Sequence, residues 1–134
     1  MTPQDADKIL TSMFADWVLA LQPSVTEIGQ DYATLSIPIT PKLARIGGIV
    51  SGQALSALAD TSMVIACSAF MNGFEPIATT NLEVRFLRPA TGDTVQCRAR
   101  ILKGGRSLLF AEAELIAFPS GKQVAQASAT FFRP

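Results

Sequence analysis

Residues 51–70 constrain the fold more than any other stretch of the chain. They contain no proline, and their one glycine, Gly52, stands at the start. Apolar side chains, from Ala54 and Leu55 through Met63, Ile65 and Cys67 to Phe70, cover most of a helical circumference. A helix apolar nearly all round is a buried helix. Twenty residues make it about 30 Å long, the width of a small domain. Asn72 and Gly73 supply its stop signal. The remainder of the chain must therefore wrap around this helix.

The wrapping material reads as strand and turn. Residues 31–40 alternate, with Leu35, Ile37 and Ile39 on one face. Pro41 to Gly48 is a loop. Residues 77–88 carry Leu82, Val84 and Phe86 in alternation, and Pro89 to Asp93 turns. Residues 94–102 place Val95, Cys97, Ala99 and Ile101 opposite Gln96, Arg98 and Arg100. Gly104 and Gly105 make the next turn, residues 107–118 form a long apolar strand, and residues 123–132 form the last one. Short connections imply antiparallel neighbours throughout. Ahead of all this, residues 5–21 read as one amphipathic helix. Ile9, Leu10, Met13, Phe14, Trp17, Val18 and Leu21 line its apolar face, and Pro23 ends it. One apolar helix against one antiparallel sheet that wraps it is the hotdog arrangement, an α+β fold. The expected organisation is a single domain over 1–134, with an N-terminal helical part at 1–24 and the hotdog core at 31–134.

Composition narrows the chemistry. The chain of 134 residues has no histidine. That removes Ser-His-Asp and Cys-His nucleophile pairs, His-ligated metals and Asp-His dyads together. Acid–base work must come from carboxylates, lysine, tyrosine or polarised water. Cys67 and Cys97 show no metal or redox spacing and read as buried free thiols. No metal and no bound cofactor is expected. Formal net charge is zero, which disfavours a nucleic-acid partner. The charge is uneven, however. Residues 1–84 carry three basic and eight acidic side chains, and residues 85–134 carry eight basic and three acidic. The basic part can hold an anionic ligand, or the two parts can simply neutralise each other. No stretch reads as a membrane span or signal peptide, so a cytoplasmic protein is expected. A hydrophobic share of 49% suggests that another subunit covers some apolar surface.

Two features stand out as chemistry. Asp60 lies in the middle of the most apolar segment, where an ionised carboxylate is costly unless it is partnered or functional. Gln53, Ser56 and Asp60 form one narrow polar stripe on that helix. The ordinary alternative is a satisfied structural carboxylate. At the helix start, Ser51 is a good N-cap. Gly52 lets a ligand approach free N–H groups where the helix dipole favours negative charge. The ordinary alternative is a plain cap. These features are eight residues apart, about 12 Å of helix rise, and can hardly meet at one carbonyl. If both act, two chains must supply them. Thr79, Thr80 and Asn81 open the next strand and can bond a carboxylate or a water, or merely pack in a sheet. Arg88, Lys103 and Arg106 lie at strand ends or turns within reach of phosphates. Arg98 and Arg100 read as a solvated sheet face.

The segment from Gly48 through Ser51, Gly52 and Gln53 to Leu58, Ala59 and Asp60 resembles the signature of the phenylacetate-degradation-type (PaaI-like) branch of hotdog thioesterases. The run Phe86-Leu87-Arg88-Pro89-Ala90-Thr91-Gly92-Asp93 and the turn Lys103-Gly104-Gly105-Arg106 resemble that family's following strand and turns. The resemblance covers about residues 30–134. It implies hydrolysis of acyl-CoA thioesters, with coenzyme A entering only as part of the substrate. On that pattern Asp60 is nucleophile or general base, the Gly52 N–H polarises the thioester carbonyl beside Ser51, and Thr79 supports the carboxylate. Gln53, Arg45, Thr80, Asn81, Arg88, Lys103 and Arg106 fall at substrate-contacting places. The family implies a homodimer, often paired into a homotetramer, with active sites at the dimer interface. Ser51 and Gln53 replace the histidine and second glycine of the family's motif, and Arg45 falls where many members have asparagine. Those departures motivate the main alternative, a non-catalytic acyl-CoA binding module. A hydratase resembles Asp-His or Glu-His users and ranks low in a chain without histidine, and a purely structural domain leaves Asp60 unexplained.

Overall fold

The computed structural model describes all residues, 1–134. Two short helices, α1 (Pro3–Met13) and α2 (Asp16–Leu19), precede strands β1 (Ser24–Ile28) and β2 (Tyr32–Pro38). The long helix α3 (Gly52–Met71) follows, then β3 (Ala78–Phe86), β4 (Thr94–Gly104), β5 (Leu108–Phe118) and β6 (Lys122–Phe132). The six strands form one antiparallel sheet in the order β1-β2-β4-β5-β6-β3, curled around α3. This is the hotdog fold.

The sequence sets the bounds of α3 closely. The Ser51 hydroxyl accepts the Ala54 N–H at 3.2 Å, closing the first turn. Asn72 takes the left-handed conformation at φ 55°, and the Gly73 N–H reaches back to the Ser68 carbonyl at 2.9 Å. By length and composition α3 could cross a membrane, contrary to the expectation above. Most of it is buried within the sheet, where a core helix belongs.

Cross-strand register explains how the helix fits. Ala33, Ala99, Ala113 and Ala127 stand side by side on β2, β4, β5 and β6, all buried. This row of small side chains lets a helix rich in alanine approach the sheet closely. Leu35, Cys97, Leu115 and Ala125 form the adjacent row and fill the core. The opposite face is polar. There Arg98 pairs with Glu114 at 3.8 Å, and Arg100 with Glu112, each across neighbouring strands. A cavity of about 750 Å³ on that face is lined by these ion pairs, on the far side of the sheet from Asp60.

The structure departs from the sequence expectations in three further places, the N-terminal helix, β1 and the link between β3 and β4. The helix expected over 5–21 breaks at Phe14 and Ala15, which are both extended. The break lets Val18 and Leu21 face the core while Trp17 turns outward, 65% exposed. Strand β1 was not expected; it pairs with β2 and is docked by Asp7, whose carboxylate accepts the Val25 N–H at 3.0 Å. The basic core strand β4 does not neighbour β3, despite their short connection. Residues 87–93 instead cross the ends of β5 and β6, held by the Val124 and Phe118 carbonyls. Three inter-strand steps span about 14 Å, within reach of seven extended residues. This crossing leaves β3 at a sheet edge, exposed along nearly its whole length.

Candidate functional site

Asp60 is half-buried on the one exposed stripe of α3. Its Oδ1 accepts a hydrogen bond from the Thr79 hydroxyl of β3 at 2.9 Å. Burial lifts the Asp60 carboxyl above its ordinary value, and the bond from Thr79 opposes part of that rise. Cys67, two helical turns further on, is fully buried. Its thiol is pushed up to about 12, chiefly by burial and further by the charge of Asp60. It stays a protonated thiol and not a nucleophile.

A bulge between Thr79 and Asn81 separates the residues of the Thr79-Thr80-Asn81 run. Thr79 is in register with buried Phe131 and so faces the helix. Asn81 is in register with Thr130, one step out of phase, and leaves on the opposite face. The Thr80 hydroxyl is spent on the Thr130 carbonyl at 3.0 Å. Of the three, only Thr79 meets Asp60.

At the helix start, Ala54 N–H is satisfied by Ser51 Oγ and Leu55 N–H by the Ser51 carbonyl. The N–H groups of Gly52 and Gln53 have no partner in the chain. They are donors aimed out of a helix N-terminus, the arrangement that binds an oxyanion. A Cβ at Gly52 would lie 3.2 Å from the Phe86 ring, so glycine is what allows β3 to pass this closely.

Between these two points runs a groove of about 590 Å³, open to solvent. Its floor is Gly52, Gln53, Ser56, Ala57 and Asp60 of α3, and its walls are Leu82 and Phe86 of β3 and Trp17 of α2. Leu82 and Phe86 continue the inward-facing rows of the core sheet but are left 37% and 54% exposed. Their role was hidden in the sequence, because alternation on an edge strand looks the same as alternation in the middle of a sheet. A second pocket, of about 340 Å³, lies beyond Phe86 and gathers Arg45, Arg88 and Gly52. There Arg45 donates to the Ile46 carbonyl at 2.9 Å, and Arg88 to the Gln123 carbonyl. Lys103 and Arg106 are elsewhere. Their turn packs against Phe70 at the other end of α3, so one chain does not bring them to Arg88. No group of three or more acidic or thiol side chains gathers anywhere as a metal site.

The family description of the thioesterase superfamily matches residues 47–123, the stretch that holds Gly52, Asp60 and Thr79. Among solved structures, a conserved protein of Pseudomonas aeruginosa is 29% identical with a TM-score of 0.83, covering 91% of this chain and 96% of that one. A thioesterase family protein from Silicibacter pomeroyi is 23% identical with a TM-score of 0.85, covering 96% and 95%. The PaaI protein from the phenylacetic acid degradation operon of E. coli is 20% identical with a TM-score of 0.84, covering 100% and 96%. The last two likenesses establish the fold. No curated protein sequence matches the chain. With the family pattern spanning the helix start, Asp60 and most of the sheet, the chain belongs to the thioesterase superfamily.

Proposed function

We propose that this protein hydrolyses acyl-CoA thioesters of small, medium-length or aryl acyl groups to the free acid and coenzyme A. The observation that carries this reading is the half-buried Asp60 carboxylate, held by Thr79 and facing an apolar groove, on a thioesterase-superfamily fold. In this reaction water adds to the thioester carbonyl and the C–S bond breaks. Acting as base, Asp60 takes a proton from the attacking water and returns it to the departing thiolate. Acting as nucleophile, its carboxylate adds to the thioester carbonyl in place of water and expels CoA thiolate, which takes a proton from solvent, and water then cleaves the acyl anhydride to regenerate Asp60. The reaction consumes water alone and calls for no further cofactor.

The oxyanion donors belong, in this proposal, to a second copy of the chain. Asp60 and Gly52 of one copy are about 12 Å apart along α3. Along the nine-residue β3 edge, the backbone groups that point away from β6 are unpaired beside exposed Leu82 and Phe86. Such an edge is a template for pairing with another chain. Antiparallel pairing of two β3 edges sets two α3 helices side by side in opposite directions, bringing Gly52 of each toward Asp60 of the other. Arg45 and Arg88, beside that helix start, then lie within reach of the CoA phosphates, with Lys103 and Arg106 of the second copy as further candidates. Dimer and dimer of dimers both satisfy this geometry.

Release of free thiol from a panel of acyl-CoAs, of graded chain length and including phenylacetyl- and benzoyl-CoA, tests the proposal. Turnover of at least one ester supports it. Tight binding of esters with no product on any of them replaces it with the acyl-CoA binding module.

A further inference from the structure

The largest side chain in the protein is in an anomalous place. Trp17 sits on the apolar face of the N-terminal segment together with Leu10 and Leu21, both of which are buried. Trp17 is 65% exposed. The break at Phe14 and Ala15 creates the difference. It starts α2 afresh, and Val18 and Leu21 then anchor α2 to the core. Fixed in this way, α2 holds the Trp17 side chain over the groove that contains Asp60, Leu82 and Phe86. The pattern is overridden at two positions, Met13 and Trp17, and of these Trp17 alone lines the groove with the candidate catalytic carboxylate, where function can outweigh packing. The exposed indole is also rigid, with only two side-chain torsions, and so loses little freedom against a ligand.

We propose that Trp17 is a specificity-determining residue: its indole is the outer wall against which the acyl group lies, opposite Leu82 and Phe86, and it sets which acyl groups the groove accepts. This rests on the acyl-CoA reading above. The carbonyl end of the ester is fixed at Asp60, so the acyl group has only the apolar length of the groove to occupy. A flat aryl group meets two aromatic faces there, Trp17 and Phe86, whereas a flexible alkyl chain gains less from such faces.

Trp17 is the only tryptophan in the chain, so its fluorescence reports on this site alone. The probes are phenylacetyl-CoA, octanoyl-CoA and free CoA, titrated into the Asp60→Asn variant with binding followed by calorimetry. The expected result is an emission shift with both esters and none with CoA. Esters that bind without changing the emission, or a shift that CoA alone reproduces, would overturn the proposal and leave the thioesterase reading intact. Esters that neither bind nor turn over with the wild-type protein would sink both. In a second arm, Trp17→Ala is expected to lower kcat/KM for phenylacetyl-CoA relative to octanoyl-CoA by roughly tenfold, the size of a lost aromatic contact. An equal loss on every ester, or a change of oligomeric state by light scattering, would instead make Trp17 a structural or subunit contact.

Discussion

The Thr79 hydroxyl reaches across from the edge strand to donate to Asp60 Oδ1 at 2.9 Å, tying residues 19 positions apart in the chain. This bond favours the ionised carboxylate, while burial disfavours it more strongly. Two opposing influences on one group give separable expectations.

The first concerns stability. Asp60 titrates higher in the folded chain than in the unfolded one, so between those two values the folded state binds more protons. Stability therefore falls as pH rises through that window, and the loss persists at neutral pH. Asp60→Asn is expected to raise Tm at pH 7, with the advantage over wild type shrinking as pH falls through the raised folded-state value and gone below the ordinary Asp value of about 3.9. Thermal melts of both proteins across pH check this; a destabilised Asn variant at pH 7 would contradict it.

The second concerns the acid limb of activity. Asp60 must be ionised to act as base or nucleophile, so the rate falls on acidification through its pKa. Thr79→Val removes the bond that holds this value down. The acid limb of kcat is then expected to move to higher pH, with a rate loss at the plateau of about tenfold or more from poorer positioning. An unmoved limb would mean that Thr79 does not act through Asp60.

The helix start supplies a third. Gly52→Ala introduces a methyl 3.2 Å from the Phe86 ring and next to the free N–H groups. Phe86 is more than half exposed and can move, so Tm is expected to change by only a few degrees. The rate should fall by at least tenfold, approaching the loss of one oxyanion donor of about a hundredfold or more. Intact kcat in a folded Ala variant would remove Gly52 from the chemistry.

The assembly supplies a fourth. Leu82→Lys places a charge on an exposed position of β3. Each chain is expected to fold, as read by circular dichroism, but to be monomeric by light scattering and inactive. A monomer with full activity would show that one chain holds a complete site.

Much of the core was legible in the sequence. The caps of α3 at Ser51 and Asn72 are local chemistry, and the strict alternation of residues 94–102 reports a sheet with one wet face. Asp60 drew notice because a carboxylate is costly in an apolar helix. What escaped was set by tertiary relations. Strand β1 has too few apolar positions to announce itself and depends on Asp7 from a distant helix. The place of β3 at the far edge depends on how residues 87–93 cross the strand ends. The groove walls, Trp17, Leu82 and Phe86, have the signature of core residues, and only the fold shows that nothing in the same chain covers them. The basic residues divide for the same reason. Arg88 stands at the start of α3, and Lys103 and Arg106 near its end.

The most direct measurement is the steady-state hydrolysis of the best acyl-CoA by wild type and Asp60→Asn, with ester binding to the variant followed by calorimetry. The expected result is a fall in kcat of about a thousandfold or more at unchanged affinity, the scale of a lost catalytic base or nucleophile. Near wild-type kcat in a variant that binds normally would contradict the account and take Asp60 out of the reaction.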